Sequence, residues 1–158
     1  MSSRETSSGA MTPSTEATPS SGAAPARVLL VEDDLPLAHA VAKHLRARGH
    51  EALVVPSAEE AAEVVTSGFR PTIVLLDINL PGESGWSFLR SGALDAAGKP
   101  PVFVVSATAI PHSRLREFGC AGYLPKPFAV STLVEIVERH HAEADEAEDA
   151  AQGGLDAF

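Results

Sequence analysis

The sequence lacks the features of several classes of protein. Only one of its 158 residues, Cys120, is a cysteine, so no disulfide can form within the chain and nothing indicates an oxidising compartment. No stretch approaches the roughly 18 consecutive apolar residues of a membrane-spanning helix, and the polar start of the chain lacks the apolar core of a secretory signal. Basic residues are scarce, 12 against 21 acids, and the formal net charge of −9 disfavours binding to phosphate backbones or anionic membranes. We therefore expect a cytoplasmic protein that binds neither nucleic acid nor membrane directly.

Both ends of the sequence differ in composition from the middle. Residues 1–26 contain no aromatic or branched aliphatic residue, and 21 of them are Ser, Thr, Pro, Gly or Ala. Such a segment buries too little apolar surface to offset its ordering entropy, so we expect a disordered N-terminal extension. Residues 143–158 hold six acids and no base, which predicts a solvated, partly helical acidic tail; a docking segment for a basic partner is the alternative. Residues 27–142 form the predicted domain.

Short apolar runs alternate with helical patterns along this domain. Five runs predict strands, and they cover residues 28–31, 52–55, 72–76, 102–105 and 121–124. A helix is predicted after each run, and Asp34 followed by Pro36 is typical of the cap and first turn of the first one. Alternating strands and helices predict an α/β fold with a doubly wound parallel sheet that has helices on both faces.

Chemically active side chains follow four of the predicted strands. Glu32 and Asp33 follow the first, Asp77 the third, Ser106 the fourth and Lys126 the fifth. Functional sites of open parallel sheets lie beyond the carboxyl ends of the strands, so the three acids converge if the first and third strands are neighbours. Clustered carboxylates repel one another unless a cation joins them, and Mg²⁺ prefers oxygen ligands. A carboxylate beside such an ion can act as a nucleophile towards a phosphoryl group, with the amine and the hydroxyl binding its oxygens.

Four motifs in this order resemble the receiver domain of two-component response regulators. They are Val31-Glu-Asp-Asp34, Asp77-Ile-Asn-Leu-Pro-Gly82, Val105-Ser-Ala107 and Tyr123-Leu-Pro-Lys-Pro-Phe128, within a resemblance that spans residues 27–141. The resemblance implies a flavodoxin-like fold with strand order 2-1-3-4-5. It also implies a phosphorylation-controlled switch that takes its phosphoryl group from a histidine kinase or a histidine phosphotransfer protein. Few residues follow the last motif, so we expect a stand-alone receiver that signals to an unknown downstream protein by contact in a phosphorelay, and not an enzyme.

The resemblance assigns the acids and the loop after the third strand to phosphorylation and metal binding. Asp77 corresponds to the aspartate that accepts the phosphoryl group. Asp33 corresponds to a direct ligand of Mg²⁺, and Glu32 to a ligand that acts through water. Asn79 occupies the position whose backbone carbonyl binds the metal in this family.

The remaining motifs correspond to the switch. Ser106 matches the hydroxyl residue, Tyr123 the aromatic residue that turns inward when the hydroxyl is drawn to the phosphate, and Lys126 the invariant lysine, whose bond to Pro127 is cis in the family. Two departures fall on the face that usually passes on the signal. The stretch between Ser106 and Lys126 is about two residues shorter than usual, and Cys120-Ala-Gly122 replaces the usual acids.

Two other functions use similar residues. A haloacid-dehalogenase-like phosphatase also forms an aspartyl phosphate with Mg²⁺, but it requires an aspartate two positions after the nucleophile, where this chain has Asn79, and its metal-binding acids come later. A receiver-like scaffold would bind partners without phosphorylation. The joint presence of Asp33, Asp77, Ser106 and Lys126 argues against it, whereas the altered signalling face favours it.

Overall fold

The computed structural model describes residues 24–155 of the chain. Within this range five strands alternate with five helices, as the sequence predicts. The elements are β1 (Arg27–Val31), α1 (Leu35–Ala47), β2 (Glu51–Val55), α2 (Ala58–Thr66), β3 (Ile73–Asp77), α3 (Gly85–Arg90), β4 (Val102–Ser106), α4 (His112–Glu117), β5 (Gly122–Pro125) and α5 (Val130–Leu155).

The strands form one parallel sheet in the order β2-β1-β3-β4-β5. This order confirms the predicted doubly wound α/β architecture. β1 and β3 are neighbours, and Val31 at the end of β1 is paired with Leu76 near the end of β3. The residues that follow these two strands therefore leave the sheet side by side.

Each face of the sheet has its own core, and alternate residues of a strand enter different ones. On one face Leu29 of β1 packs with Val65 of α2 and Phe88 of α3. On the other face Val28 packs with Val137 of α5. Burial on both sides explains why the central strands β1 and β3 are almost entirely apolar. Each fully buried side chain of this size contributes about 1.5–3 kcal/mol to stability. This packing fixes the positions of the strand ends.

Side-chain caps fix the starts of the helices that follow the first three strands. The carboxylate of Asp34 accepts a hydrogen bond from the Leu37 N–H at 3.2 Å. Ser57 caps α2 through the Glu60 N–H at 3.2 Å, and Ser84 caps α3. The predicted cap at Asp34 is confirmed, so this acid serves the helix and not the neighbouring cluster of acids.

The short helix α4 is tied to α3 by aromatic stacking. Its N-cap, Pro111, makes no side-chain hydrogen bond, and Leu115 is its buried residue. The ring of Phe118, just after α4, stacks on Trp86 of α3 at 4.8 Å between centroids. The guanidinium of Arg114 lies over both rings, 5.3 Å and 5.4 Å from their centroids. These contacts hold α4, which has no side-chain cap at its start.

The first described residues are bound to the rest of the domain. The Ala26 N–H donates to His50 Nδ1 at 3.0 Å, and His141 Nε2 donates to the Ala24 carbonyl at 2.6 Å. Residues 24–26 of the predicted extension are therefore bound to the domain, and residues 1–23 lie outside the described residues. α5 continues beyond residue 142, the predicted end of the domain, and through Gly153-Gly154 to Leu155. None of the described helices has the length and apolar character needed to cross a bilayer.

Candidate functional site

Three carboxyl groups meet at the carboxyl ends of β1 and β3. Glu32 directly follows β1, and Asp77 is the last residue of β3; each is 3% exposed. Asp33, the next residue after Glu32, is exposed. A carboxylate oxygen from each of the three lies within 4.8 Å of the others. The sheet order thus brings together the acids that the sequence predicts to converge.

The amine of Lys126 bridges two of these acids. Its Nζ lies 2.8 Å from Glu32 Oε2 and 2.9 Å from Asp77 Oδ2. The lysine follows β5 at the edge of the sheet, where its backbone N–H donates to the Ser106 carbonyl at 2.9 Å. Its bond to Pro127 is cis, as the resemblance implies. Lys126 therefore reaches the acids across the end of β4.

Burial and charge together determine the electrostatics of the site. Burial raises the pKa of Glu32 to about 7; the Lys126 hydrogen bond opposes this shift and the nearby charge of Asp77 adds to it. Burial alone lowers the pKa of Lys126, but its hydrogen bonds to Glu32 and Asp77 outweigh this effect and the pKa is raised. When all three carboxyl groups are ionised, they and the ammonium of Lys126 carry two negative charges in excess. A divalent cation is the charge that neutralises such a group.

The raised pKa predicts how stability varies with pH in the absence of divalent cations. The pKa of Glu32 rises from about 4.5 to about 7 on folding, so the folded state binds this proton more tightly. The resulting stabilisation is present below the unfolded value and is lost as the pH rises through the folded value. Between about pH 5 and about pH 8, the free energy of unfolding of the wild type should fall relative to that of Glu32→Gln. Urea unfolding in EDTA measures this difference, with the exposed Glu135→Gln as control; equal pH profiles for wild type and Glu32→Gln would contradict it.

The loop after β3 folds back onto Asp77. The Asn79 N–H donates to Asp77 Oδ1 at 2.9 Å, so each oxygen of the Asp77 carboxylate has one partner. The loop can approach this closely because Gly85 lacks a side chain: a Cβ there would lie 2.7 Å from the Asp77 carbonyl oxygen. The Gly85 N–H also donates to the Ile78 carbonyl at 3.1 Å. Asn79 is thus held beside Asp77, and its carbonyl as a metal ligand stays a prediction.

Ser106 lies at the centre of a second group of hydrogen bonds. It is fully buried, and its Oγ accepts from Asn79 Nδ2 at 3.1 Å. Thr108 contacts the same oxygen through its N–H at 3.1 Å and its Oγ1 at 2.9 Å. The hydroxyl of Tyr123 donates to the Thr108 carbonyl at 3.0 Å. The sequence predicts Ser106 and Tyr123 as switch residues, and these roles stay predictions; it does not single out Thr108, because no motif or spacing distinguishes that residue.

Comparison with known proteins identifies the family. A family model described as the response regulator receiver domain matches residues 28–138. The chain belongs to this family. The response regulator FleR of Pseudomonas aeruginosa is 36% identical over 118 residues, which cover 73% of this chain and 24% of FleR. The cell cycle response regulator CtrA of Brucella ovis is 32% identical over 118 residues, 73% of this chain and 49% of CtrA. The chain thus spans half or less of the length of these relatives.

Solved structures show the same receiver fold. A CheY-like receiver domain from Methanospirillum hungatei has a TM-score of 0.70 at 22% identity, covering 78% of this chain and 99% of that one. The receiver domain of the sensor histidine kinase PA1611 from Pseudomonas aeruginosa has a TM-score of 0.64 at 26% identity. The match covers 75% of this chain and 99% of that one. That domain was solved with a magnesium ion coordinated in its active-site cleft. This chain is therefore a receiver domain in both sequence and fold.

Proposed function

We propose that this receiver domain accepts a phosphoryl group on Asp77, with Mg²⁺, from a histidine kinase or a histidine phosphotransfer protein. The observation that carries the proposal is the environment of Asp77. Its buried carboxylate is bound by Lys126 Nζ and by the Asn79 N–H, within 4.8 Å of two further carboxyl groups. Fixed donors around a buried carboxylate provide the positioning and charge neutralisation that phosphoryl transfer requires.

The donor set fits a magnesium ion. Glu32, Asp33 and Asp77 offer only oxygen, and together with Lys126 they leave two negative charges. The magnesium ion in the PA1611 receiver domain supports the assignment by similarity. These three residues and the Asn79 carbonyl would hold the ion. Bound there, Mg²⁺ would neutralise charge on the phosphoryl oxygens during transfer.

The residues of this chain have separate tasks in the transfer. An oxygen of Asp77 forms a bond to phosphorus as the bond from phosphorus to the donor's histidine nitrogen breaks, and the electron pair of that bond returns to the nitrogen. The ammonium of Lys126 supplies positive charge for the phosphoryl oxygens. A cleft of about 300 Å³ opens beside this amine; it is lined by Asp34, Leu37, Ala107, Lys126, Pro127 and Phe128.

Signalling would follow through Ser106 and Tyr123. The buried hydroxyl of Ser106 would turn towards the phosphoryl group, and Tyr123 would turn inward with it. The changed surface would then bind a downstream protein in a phosphorelay. We assign this task to residues 27–142, with residues 1–26 as an extension and residues 143–158 as an acidic tail. Family membership favours a switch over a phosphatase. The hydrogen bond from Lys126 Nζ to the Asp77 carboxylate favours a phosphorylated switch over a scaffold that binds partners without phosphorylation.

Dependence on the cation tests the proposal. Incubation with acetyl phosphate and Mg²⁺ should add one acid-stable, base-labile phosphoryl group, and EDTA should abolish the labelling. Asp33→Asn should slow labelling at least about 10-fold, because a ligand of the ion loses its charge and even changes to residues behind the metal ligands cost about 10- to 100-fold. The matched control is Asp34→Asn, which changes the next acid but keeps a good helix cap and should label at close to the wild-type rate. Labelling in EDTA at the full rate, or equal slowing in both variants, would overturn the role of the cation.

A further inference from the structure

We propose that the side-chain hydroxyl of Thr108 is the resting hydrogen-bond acceptor of Ser106, and that it limits how readily Ser106 turns to a ligand on Asp77. Thr108 is then a positioning residue of the switch, since it acts through Ser106. The inference rests on the proposed function of Asp77. It names a residue outside the motifs on which that function was argued.

The direction of the bond follows from counting donors and acceptors around Ser106 Oγ. The side-chain amide of Asn79 and the backbone N–H of Thr108 can only donate, and each lies 3.1 Å from this oxygen. A hydroxyl oxygen accepts two hydrogen bonds and donates one, so both acceptor positions are filled. Among the described residues, Thr108 Oγ1 at 2.9 Å is the acceptor within reach of the hydroxyl proton. Ser106 therefore donates to Thr108.

Burial makes the hydrogen bond from Ser106 to Thr108 costly to break. Ser106 has no exposed surface, so solvent cannot replace a lost partner, and a buried hydroxyl without a partner is costly. Thr108 is exposed, so its own hydroxyl proton can be donated to water. Turning Ser106 towards Asp77 thus requires breaking one bond of a buried donor. A ligand on Asp77 must compete with Thr108 for the Ser106 proton.

The backbone of Thr108 extends the connection to Tyr123. Its N–H donates to Ser106, and its carbonyl accepts from the Tyr123 hydroxyl at 3.0 Å. Each polar group of Thr108 therefore contacts one of the two switch residues: the hydroxyl and the N–H contact Ser106, and the carbonyl contacts Tyr123. A shift of this residue as Ser106 turns would also move the acceptor of the Tyr123 hydroxyl. The side-chain hydroxyl can be deleted without deleting either backbone group.

The test compares the binding of beryllium fluoride, a phosphoryl mimic, in the presence of Mg²⁺. Thr108→Val keeps the shape and the backbone groups but removes the competing acceptor. Calorimetry should show beryllium fluoride binding about three- to tenfold more tightly than to the wild type, the size expected for one net hydrogen bond. Thr108→Ser restores the hydroxyl and should return the affinity to the wild-type range. The control is Ser113→Ala, which removes an exposed hydroxyl of α4 and should leave the affinity unchanged.

A double-mutant cycle separates competition for Ser106 from a general structural effect. In a Ser106→Ala background there is no hydroxyl proton to compete for, so Thr108→Val should no longer change the affinity. Equal or weaker binding by Thr108→Val, or the same gain in the Ser106→Ala background, would overturn the inference while leaving the proposed function intact. If the wild type binds no beryllium fluoride with Mg²⁺ present, the proposed function at Asp77 is wrong and this inference falls with it.

Discussion

Asp77→Asn should not be phosphorylated by acetyl phosphate under conditions that label the wild type completely. The amide is a poor nucleophile, and it removes the charge that Lys126 Nζ contacts at 2.9 Å. The variant should still fold, because Lys126 keeps its contact with Glu32 at 2.8 Å and the amide of Asn is nearly the same size as the carboxyl group. Intact-mass spectrometry measures the added phosphoryl group directly.

Two controls identify the acceptor in that experiment. Asp95→Asn changes an exposed acid in the segment between α3 and β4 and should label like the wild type. A label that survives in Asp77→Asn and is stable to both acid and mild base would place the acceptor on a hydroxyl residue, and one that is stable to base but labile to acid would place it on a histidine. A label that survives but is base-labile would place it on another carboxylate. Either result would remove Asp77 from the role argued above.

Lys126→Ala should separate metal binding from the response to phosphorylation. The substitution leaves Glu32 and Asp77, both about 4% exposed in their side chains, without their amine partner. Loss of one partner from a buried ion pair costs about 3–5 kcal/mol, so we expect a loss of about 3 kcal/mol in unfolding free energy in EDTA near neutral pH. Mg²⁺ should restore part of this loss, because it supplies the missing positive charge and its own ligands remain. Urea unfolding with and without Mg²⁺ measures both effects.

The response at Tyr123 is the second measurement on Lys126→Ala. The chain contains a single tyrosine, so the ring signals of a tyrosine-labelled sample belong to Tyr123 without further assignment. Beryllium fluoride with Mg²⁺ should shift these signals in the wild type and in the control Lys43→Ala, an exposed lysine of α1. Lys126→Ala should show no shift. A full shift in this variant would remove the coupling role of the lysine.

Much of the fold could be predicted because short stretches of the sequence show which residues are buried. β3 is buried at all five positions, and a run with no polar residue before Asp77 is what two covering layers of helices require. The cap at Asp34 could be predicted for a similar reason, since its hydrogen bond spans three residues. The convergence of Glu32, Asp33 and Asp77 followed from the topology of the sheet, because neighbouring parallel strands end at the same edge.

The missed features depend on the path of loops and on side-chain rotamers. Thr108 meets Ser106 only because the chain turns directly after β4, and no spacing rule distinguishes that turn from others. The stack of Trp86 on Phe118 joins segments whose proximity is set by the tertiary fold. At the end of α5, the alanine-rich stretch continues as a helix despite acids that oppose its dipole and two glycines of low helix propensity.

A crystal structure with Mg²⁺ and beryllium fluoride tests the central claim most directly. We predict beryllium fluoride on a carboxylate oxygen of Asp77, with Mg²⁺ bound by the carboxylates that lie within 4.8 Å of one another and Lys126 in contact with a fluorine. The account is contradicted if both ligands are absent at saturating concentration, or if Mg²⁺ binds elsewhere while Asp77 stays bonded to Lys126 and Asn79 as it is now.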